Sequence, residues 1–184
     1  MDAGEVVAIA SAGVAAGAIN VLVGSGTLIT FPVLLAFGYA PVTANVSNTI
    51  GLVPGAVSGS IGYRRELAGQ RARAVRLGTM SVLGGLTGAA QGIMLVAILG
   101  VTLAQDLQRT NALKNVLVGL VNGVAGLYFA FAAHVAWGPA GVIAASSIVG
   151  AHFGARYGRR LPESSLRAVI IVVGVVAIVR LLAY

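Results

Sequence analysis

Residues 20 to 32 read Asn-Val-Leu-Val-Gly-Ser-Gly-Thr-Leu-Ile-Thr-Phe-Pro. Two glycines, a serine, two threonines, an asparagine and a proline interrupt an otherwise apolar run. Polar groups taken out of water need partners, so such an interruption has to be satisfied by protein, water or ligand. The apolar residues at 5 to 23 are long enough to cross a bilayer, whereas those at 27 to 38 are not, because a spanning helix needs about 20 residues. The second run therefore reads as a half-helix or re-entrant segment. Non-helical backbone at membrane depth is tolerated only where it is buried in protein or lines a cavity. The stretch thus points to an all-α, polytopic transmembrane bundle with broken or re-entrant helices.

The whole composition agrees. Of 184 residues, 58% are hydrophobic and only 9% charged, and the mean hydropathy is +0.94, far from the soluble range. The 26 glycines suit helices that approach closely through small residues. No segments of about ten residues alternate in the manner of a membrane β-barrel. The formal charge of +7 lies in short loops rather than in a basic stripe with interleaved aromatics, so no nucleic-acid partner is expected. With no cysteine, disulfides and thiolate chemistry are excluded. Asp2 and Glu5 stand where a secretory signal would carry basic residues, so the first apolar run reads as a retained helix; its small residues, Ser-Ala-Gly-Val-Ala-Ala-Gly-Ala, are the feature it shares with a signal peptide.

Further spans are expected at 42 to 62, 76 to 100, 110 to 133, 139 to 155 and 165 to 183. Basic residues concentrate at 63 to 76, around Arg109 and Lys114, and at 156 to 167, whereas 38 to 45 and 134 to 139 carry no charge. The positive-inside rule places the first three loops in the cytoplasm and the last two outside.

The chain also repeats itself. Val-Leu-Gly-Gly-Leu-Thr-Gly-Ala-Ala-Gln-Gly at 82 to 92 and Ile-Val-Gly-Ala-His-Phe-Gly-Ala-Arg-Tyr-Gly at 148 to 158 share Gly-x-x-x-Gly-Ala-x-x-Gly at an offset of 66. The same offset aligns Gly24-Ser25-Gly26 with Ala90-Gln91-Gly92, and Ser47-Asn48 aligns with Thr110-Asn111 at an offset of 63. The loop charges run in opposite senses in the two copies, as in transporters built from inverted repeats. A single membrane domain then divides into a first repeat over 1 to 89 and a second over 90 to 184. One segment conflicts: 76 to 100 has charged loops at both ends. Either it is a hairpin of two half-spans, or residues are missing at the glycine-rich junction at 84 to 92; the twin Gly-Ala motifs favour the latter.

These residues resemble the sulfite exporter TauE/SafE family of bacterial membrane transporters. The resemblance rests on Gly-Ser-Gly-Thr through Asn48-Thr49 at 24 to 49, Tyr-Arg-Arg at 63 to 65, Asp-Leu-Gln-Arg-Thr-Asn-Ala-Leu-Lys-Asn at 106 to 115 and Gly-Ala-Arg-Tyr-Gly-Arg-Arg-Leu-Pro at 154 to 162. It implies a multi-pass protein of the bacterial inner membrane that exports small anions such as sulfite or organosulfonates. Family members usually have about eight transmembrane helices, so this chain is shortened in its middle. Family members also usually carry a richer glycine run at 24 to 27 and a threonine in place of Ser47.

Two readings of the break at Gly24, Ser25, Gly26 and Thr27 stay open. In one, the backbone N–H groups opening the second half-helix and the two hydroxyls bind an anion. In the other, the break is a kink with glycines packed on a neighbour. Gln91 and Gly92 would repeat it. Ser47, Asn48 and Thr49 head one apolar span, and Thr110, Asn111, Lys114 and Asn115 form a similar group; Asn48 and Asn111 would line a central cavity from both repeats. Lys114, the only lysine, either draws the anion in or snorkels to the inner interface. Asn122 reads as glue between helices.

His134 and His152 lack further ligands at metal spacing, so no metal is expected. Asp2, Glu5, Glu66, Asp106 and Glu163 all sit near segment ends, leaving no acid at mid-membrane as a proton carrier, so that proton coupling would need substrate protonation or a histidine. The Gly-Ser-Gly-Thr run lacks the spacing of a dinucleotide fingerprint, and no nucleophile–base set emerges. The expected protein is not an enzyme and needs no cofactor. Its partners would be a small anionic substrate and membrane lipid, and a homo-oligomer is compatible with them. The competing reading is a shortened, non-transporting membrane protein with an assembly role or no activity. A channel is disfavoured by the lack of a charged filter.

Overall fold

The computed structural model describes residues 1–83 and 107–158, together with 160–162, 164–165, 168 and 171. The described residues are all-α, with six helices and no strand. Helix α1 (Ala3–Leu22) starts where Asp2 accepts the Glu5 N–H at 2.7 Å, and Glu5 places a negative charge in the first turn. It ends at Gly24, whose φ of 93° belongs to the left-handed region that glycine enters freely. Helix α2 (Thr27–Ala36) is only ten residues long and contains Pro32. Helix α3 (Pro41–Gly62) opens on a proline, which loses nothing in the first turn. Helix α4 (Arg71–Leu83), α5 (Leu107–Ala132) and α6 (Trp137–Gly158) complete the set.

The sequence places the apolar helices within about two or three residues of where they fall. The basic stretch is different. Expected as loop to Arg76, it turns helical at Arg71, because beyond Gly69 it is mostly Gln, Arg and Ala, good helix formers, and the Gln70 carbonyl accepts the first bond, from the Ala74 N–H at 2.8 Å. Among the described residues two helices, α1 and Gln108–Ala132 of α5, are both long and apolar enough to cross a membrane. Helices α3 and α6 have 22 residues each, about 33 Å of rise, but their Ser, Thr, Asn and Gly content dilutes their apolarity. Gln91, Gly92, Asp106, Glu163, the junction at 84 to 92 and nearly all of the expected span at 165 to 183 lie outside the described residues.

Helix α6 sits between α1 and α3; α5 covers another side of α3, and α4 lies on α5. The α1–α6 contact is the closest, because Gly150 and Gly154 face the backbone of Val14 and Ala18, and Gly17 faces that of Ser147. Helix α2 folds back alongside α1. Its first residues lie beside Ala16 and Asn20, and Tyr39, just beyond its end, reaches Glu5 at the start of α1.

The described helices bury polar side chains among the apolar core and leave large apolar ones exposed. Asn48, Asn111, Lys114, Ser47 and Ser147 are all 0% exposed, while Phe131 is 88% and Leu127 66% exposed. Exposed apolar side chains around a core that also holds polar groups suit helices packed in lipid.

Candidate functional site

The break between α1 and α2 gathers two groups of side chains. On the α2 side, Asn48 reaches across from α3: its Nδ2 donates to Thr27 Oγ1 at 3.0 Å, and its Oδ1 accepts from Thr30 Oγ1. Thr30 also bonds the Gly26 carbonyl at 3.3 Å. The Gly26 N–H points at Asn20 Oδ1, 3.4 Å away. A side chain on Gly26 would run into the Ala16 carbonyl and Asn20, so the glycine is what lets α2 begin against α1. Thr27 and Thr30 present to Asn48 because residues three apart share a helix face.

On the α1 side, Lys114 comes from α5 and donates to the carbonyls of Asn20 and Val21, both at 3.0 Å. Asn111 Nδ2 and Asn115 Nδ2 each donate to the same Val21 carbonyl at 3.1 Å, and Asn111 also reaches the Tyr63 hydroxyl at 3.4 Å. These are the free carbonyls that any helix leaves at its C-terminus, the negative end of its dipole. Three side chains within about one turn of α5, Asn111, Lys114 and Asn115, therefore close the end of α1. The lysine does not snorkel; it is 0% exposed, and no carboxylate pairs with it among the described residues. An ammonium has three donors, and two are used here. Asn20 joins the groups, giving its carbonyl to Lys114 and its side chain to Gly26.

Two polar atoms of the break residues have no partner among the described residues: Ser25 Oγ, on a residue 1% exposed, and Asn111 Oδ1. A buried hydroxyl with no partner costs about 1–3 kcal/mol, so each is an opening for a ligand or a water molecule. The arrangement combines a buried lysine, a free hydroxyl and the positive end of α2. It suits a small anion.

Of the residues expected at a site, Gly24, Ser25, Gly26, Thr27, Asn48, Asn111 and Lys114 come together at this break. Asn48 and Asn111 both reach it, but at different ends. Ser47 does not: its Oγ accepts the Ala136 N–H at 2.9 Å and caps α6. Thr49 turns back on its own helix, to the Asn45 carbonyl at 2.8 Å. Thr30 and Asn20 carry roles that residue type alone did not assign, although Thr30 stands four residues after Gly26 on the α2 face that meets Asn48. An open cavity of about 900 Å³ lies elsewhere, along α3 and α6, and none of the break residues lines it. No cluster of metal-ligating residues occurs among the described residues.

Comparison with known proteins adds the family. The model of the sulfite exporter TauE/SafE family matches the chain twice, over residues 9–90 and 70–181, so that 70–90 serve both matches. No curated protein and no solved structure matches. Taken together the two matches run over most of the sequence, include both groups at the break, and assign a membrane-associated protein of transporter type rather than an enzyme. The chain belongs to the sulfite exporter TauE/SafE family.

Proposed function

We propose that this chain is a multi-pass bacterial inner-membrane transporter that exports small anions, sulfite or organosulfonates among them, by alternating access. The observation that carries the reading is Lys114: a fully buried lysine at a helix break, with no carboxylate beside it to share its charge among the described residues. An isolated buried charge costs several kcal/mol, and an incoming anion offsets that cost. Sulfite oxygens would accept from the third Lys114 N–H, the Ser25 hydroxyl and the Thr27 N–H that opens α2, while Asn48 holds Thr27 and Thr30 in position.

In this reading two inverted halves, 1 to 89 and 90 to 184, rock about the break, and Gln91 and Gly92 supply its counterpart. The twofold match to one family model supports related halves. The shared use of residues 70–90 favours a second reading: a chain shortened at its centre that inserts and folds but does not transport.

Sulfite efflux from proteoliposomes separates them. The transporter reading expects flux well above protein-free vesicles, reduced about tenfold by Asn48→Ala, as expected for loss of roughly 1.4 kcal/mol of hydrogen bonding. Flux equal to that of empty vesicles, from protein shown to be folded, would establish the non-transporting form.

A further inference from the structure

The cavity between α3 and α6 has a composition the transport reading does not use. Its walls carry Val57 and Ile61 from α3 and Ile148 from α6, and its rim carries Arg64, Arg65, Arg156 and Arg160. All four arginines are exposed. Among the described residues no carboxylate forms an ion pair with any of them.

Two simpler explanations fall short on magnitude. Arginines favour helix C-termini, and α3 and α6 both end here; yet each helix end contributes about half a negative charge, so two ends offset roughly one of the four cations. The positive-inside rule accounts for basic residues beyond a span, but not for an apolar cleft leading up to them. From Val53 to Gly62 the cleft follows α3 for about 14 Å at 1.5 Å per residue, close to half of a bilayer core of about 30 Å. The cleft has the depth of one leaflet, with the charge where that leaflet's headgroups lie.

We propose that this groove holds an anionic phospholipid, its phosphate on the four arginines and an acyl chain along Val57, Ile61 and Ile148. Basic pockets between membrane helices on the cytoplasmic side take acidic headgroups in this manner. A second copy of the chain is a poor occupant, since a symmetric contact would set two arginine rims against each other. Free phosphate would use the rim and leave the apolar walls empty. The inference needs the membrane placement but not transport, so a chain without flux still binds the lipid.

The test is thermal stability and lipid retention in native mass spectrometry of the detergent-purified full chain. Phosphatidylglycerol, phosphatidylcholine and inorganic phosphate are added separately at equal concentration. Phosphatidylglycerol should be retained and raise the Tm, and the other two should do neither. Arg64→Gln with Arg156→Gln should weaken its binding roughly thirtyfold, from about 1 kcal/mol per basic residue near an anionic surface. Ile61→Trp, which fills the cleft and keeps every charge, should weaken it as well and serves where the double variant folds poorly. Equal retention of phosphatidylcholine, equal protection by phosphate, or undiminished binding by Ile61→Trp would each overturn the proposal.

Discussion

Along the seam between α1 and α6, Gly17, Gly150 and Gly154 bring two backbones into contact, and the serines among them are bonded: Ser147 Oγ donates to the Gly51 carbonyl at 3.1 Å and Ser146 Oγ to that of Val142 at 2.7 Å. At the break that ends α1, Gly24, Ser25 and Gly26 are equally small and equally buried. There the serine has no partner among the described residues, and a lysine with a spare donor lies at the neighbouring carbonyls. Small residues thus serve two ends. Where every polar atom is matched they cement helices, and where an amide or a cation is added without a full set of partners they leave a place for a ligand.

The seam should be the more fragile of the two. In Gly150→Ala the new methyl group would fall on the Val14 carbonyl; the helices have to separate, at about 3 kcal/mol, the upper end of overpacking. Gly141→Ala on the same helix meets nothing within 4 Å and should be neutral or slightly stabilising. Denaturation in detergent checks the pair, and equal stability would mean that the seam is looser than described.

At the break the expected pattern is the opposite. Lys114→Met keeps the volume and removes the charge. The Val21 carbonyl retains Asn111 and Asn115, the Asn20 carbonyl loses its ammonium partner, and relief of a buried charge offsets that loss. Stability should hold within about 1 kcal/mol, while sulfite flux falls by tenfold or more, from roughly 1.5–3 kcal/mol for a hydrogen bond to a charged group. A variant destabilised as far as Gly150→Ala but still transporting would make Lys114 a structural strut and turn the break into a second seam.

How far each region is legible in sequence follows from what its residues bond to. The apolar lengths of α1, α3 and α5 are visible because hydrophobic runs set them, and the start of α2 is visible because Gly24 and Gly26 break the run. Asn48 and Lys114 stand out as polar residues in apolar segments. Their partners do not. Lys114 binds the main-chain carbonyls of Asn20 and Val21, groups that every residue possesses, so no residue type announces them. Ser47 looks the same as Asn48 in sequence, yet one position on a helix is a rotation of about 100°, enough to send it to the cap of α6. The charged start of α4 escapes an apolar criterion altogether.

The outer end of the α1–α2 hairpin gives the smallest effect and the cleanest sign. Tyr39 donates to Glu5 Oε1 at 2.6 Å, and the N-terminal ammonium lies 3.8 Å from the other oxygen of that carboxylate. The hydrogen bond to Glu5, then burial, then the carboxylate's charge hold the phenol proton, pushing Tyr39 up from 10.0 to about 12. Because the folded value is the higher one, the contribution is complete below pH 10 and is lost as the pH rises through about 12. Tyr39→Phe should cost no more than about 1 kcal/mol at neutral pH, and the difference in stability between wild type and variant should shrink between pH 10 and 12. A difference that stays constant across that window would mean that this end of the hairpin is held by packing alone. The α1–α2 pair would then be fixed by a polar contact only at the break, where Asn20 Oδ1 accepts the Gly26 N–H.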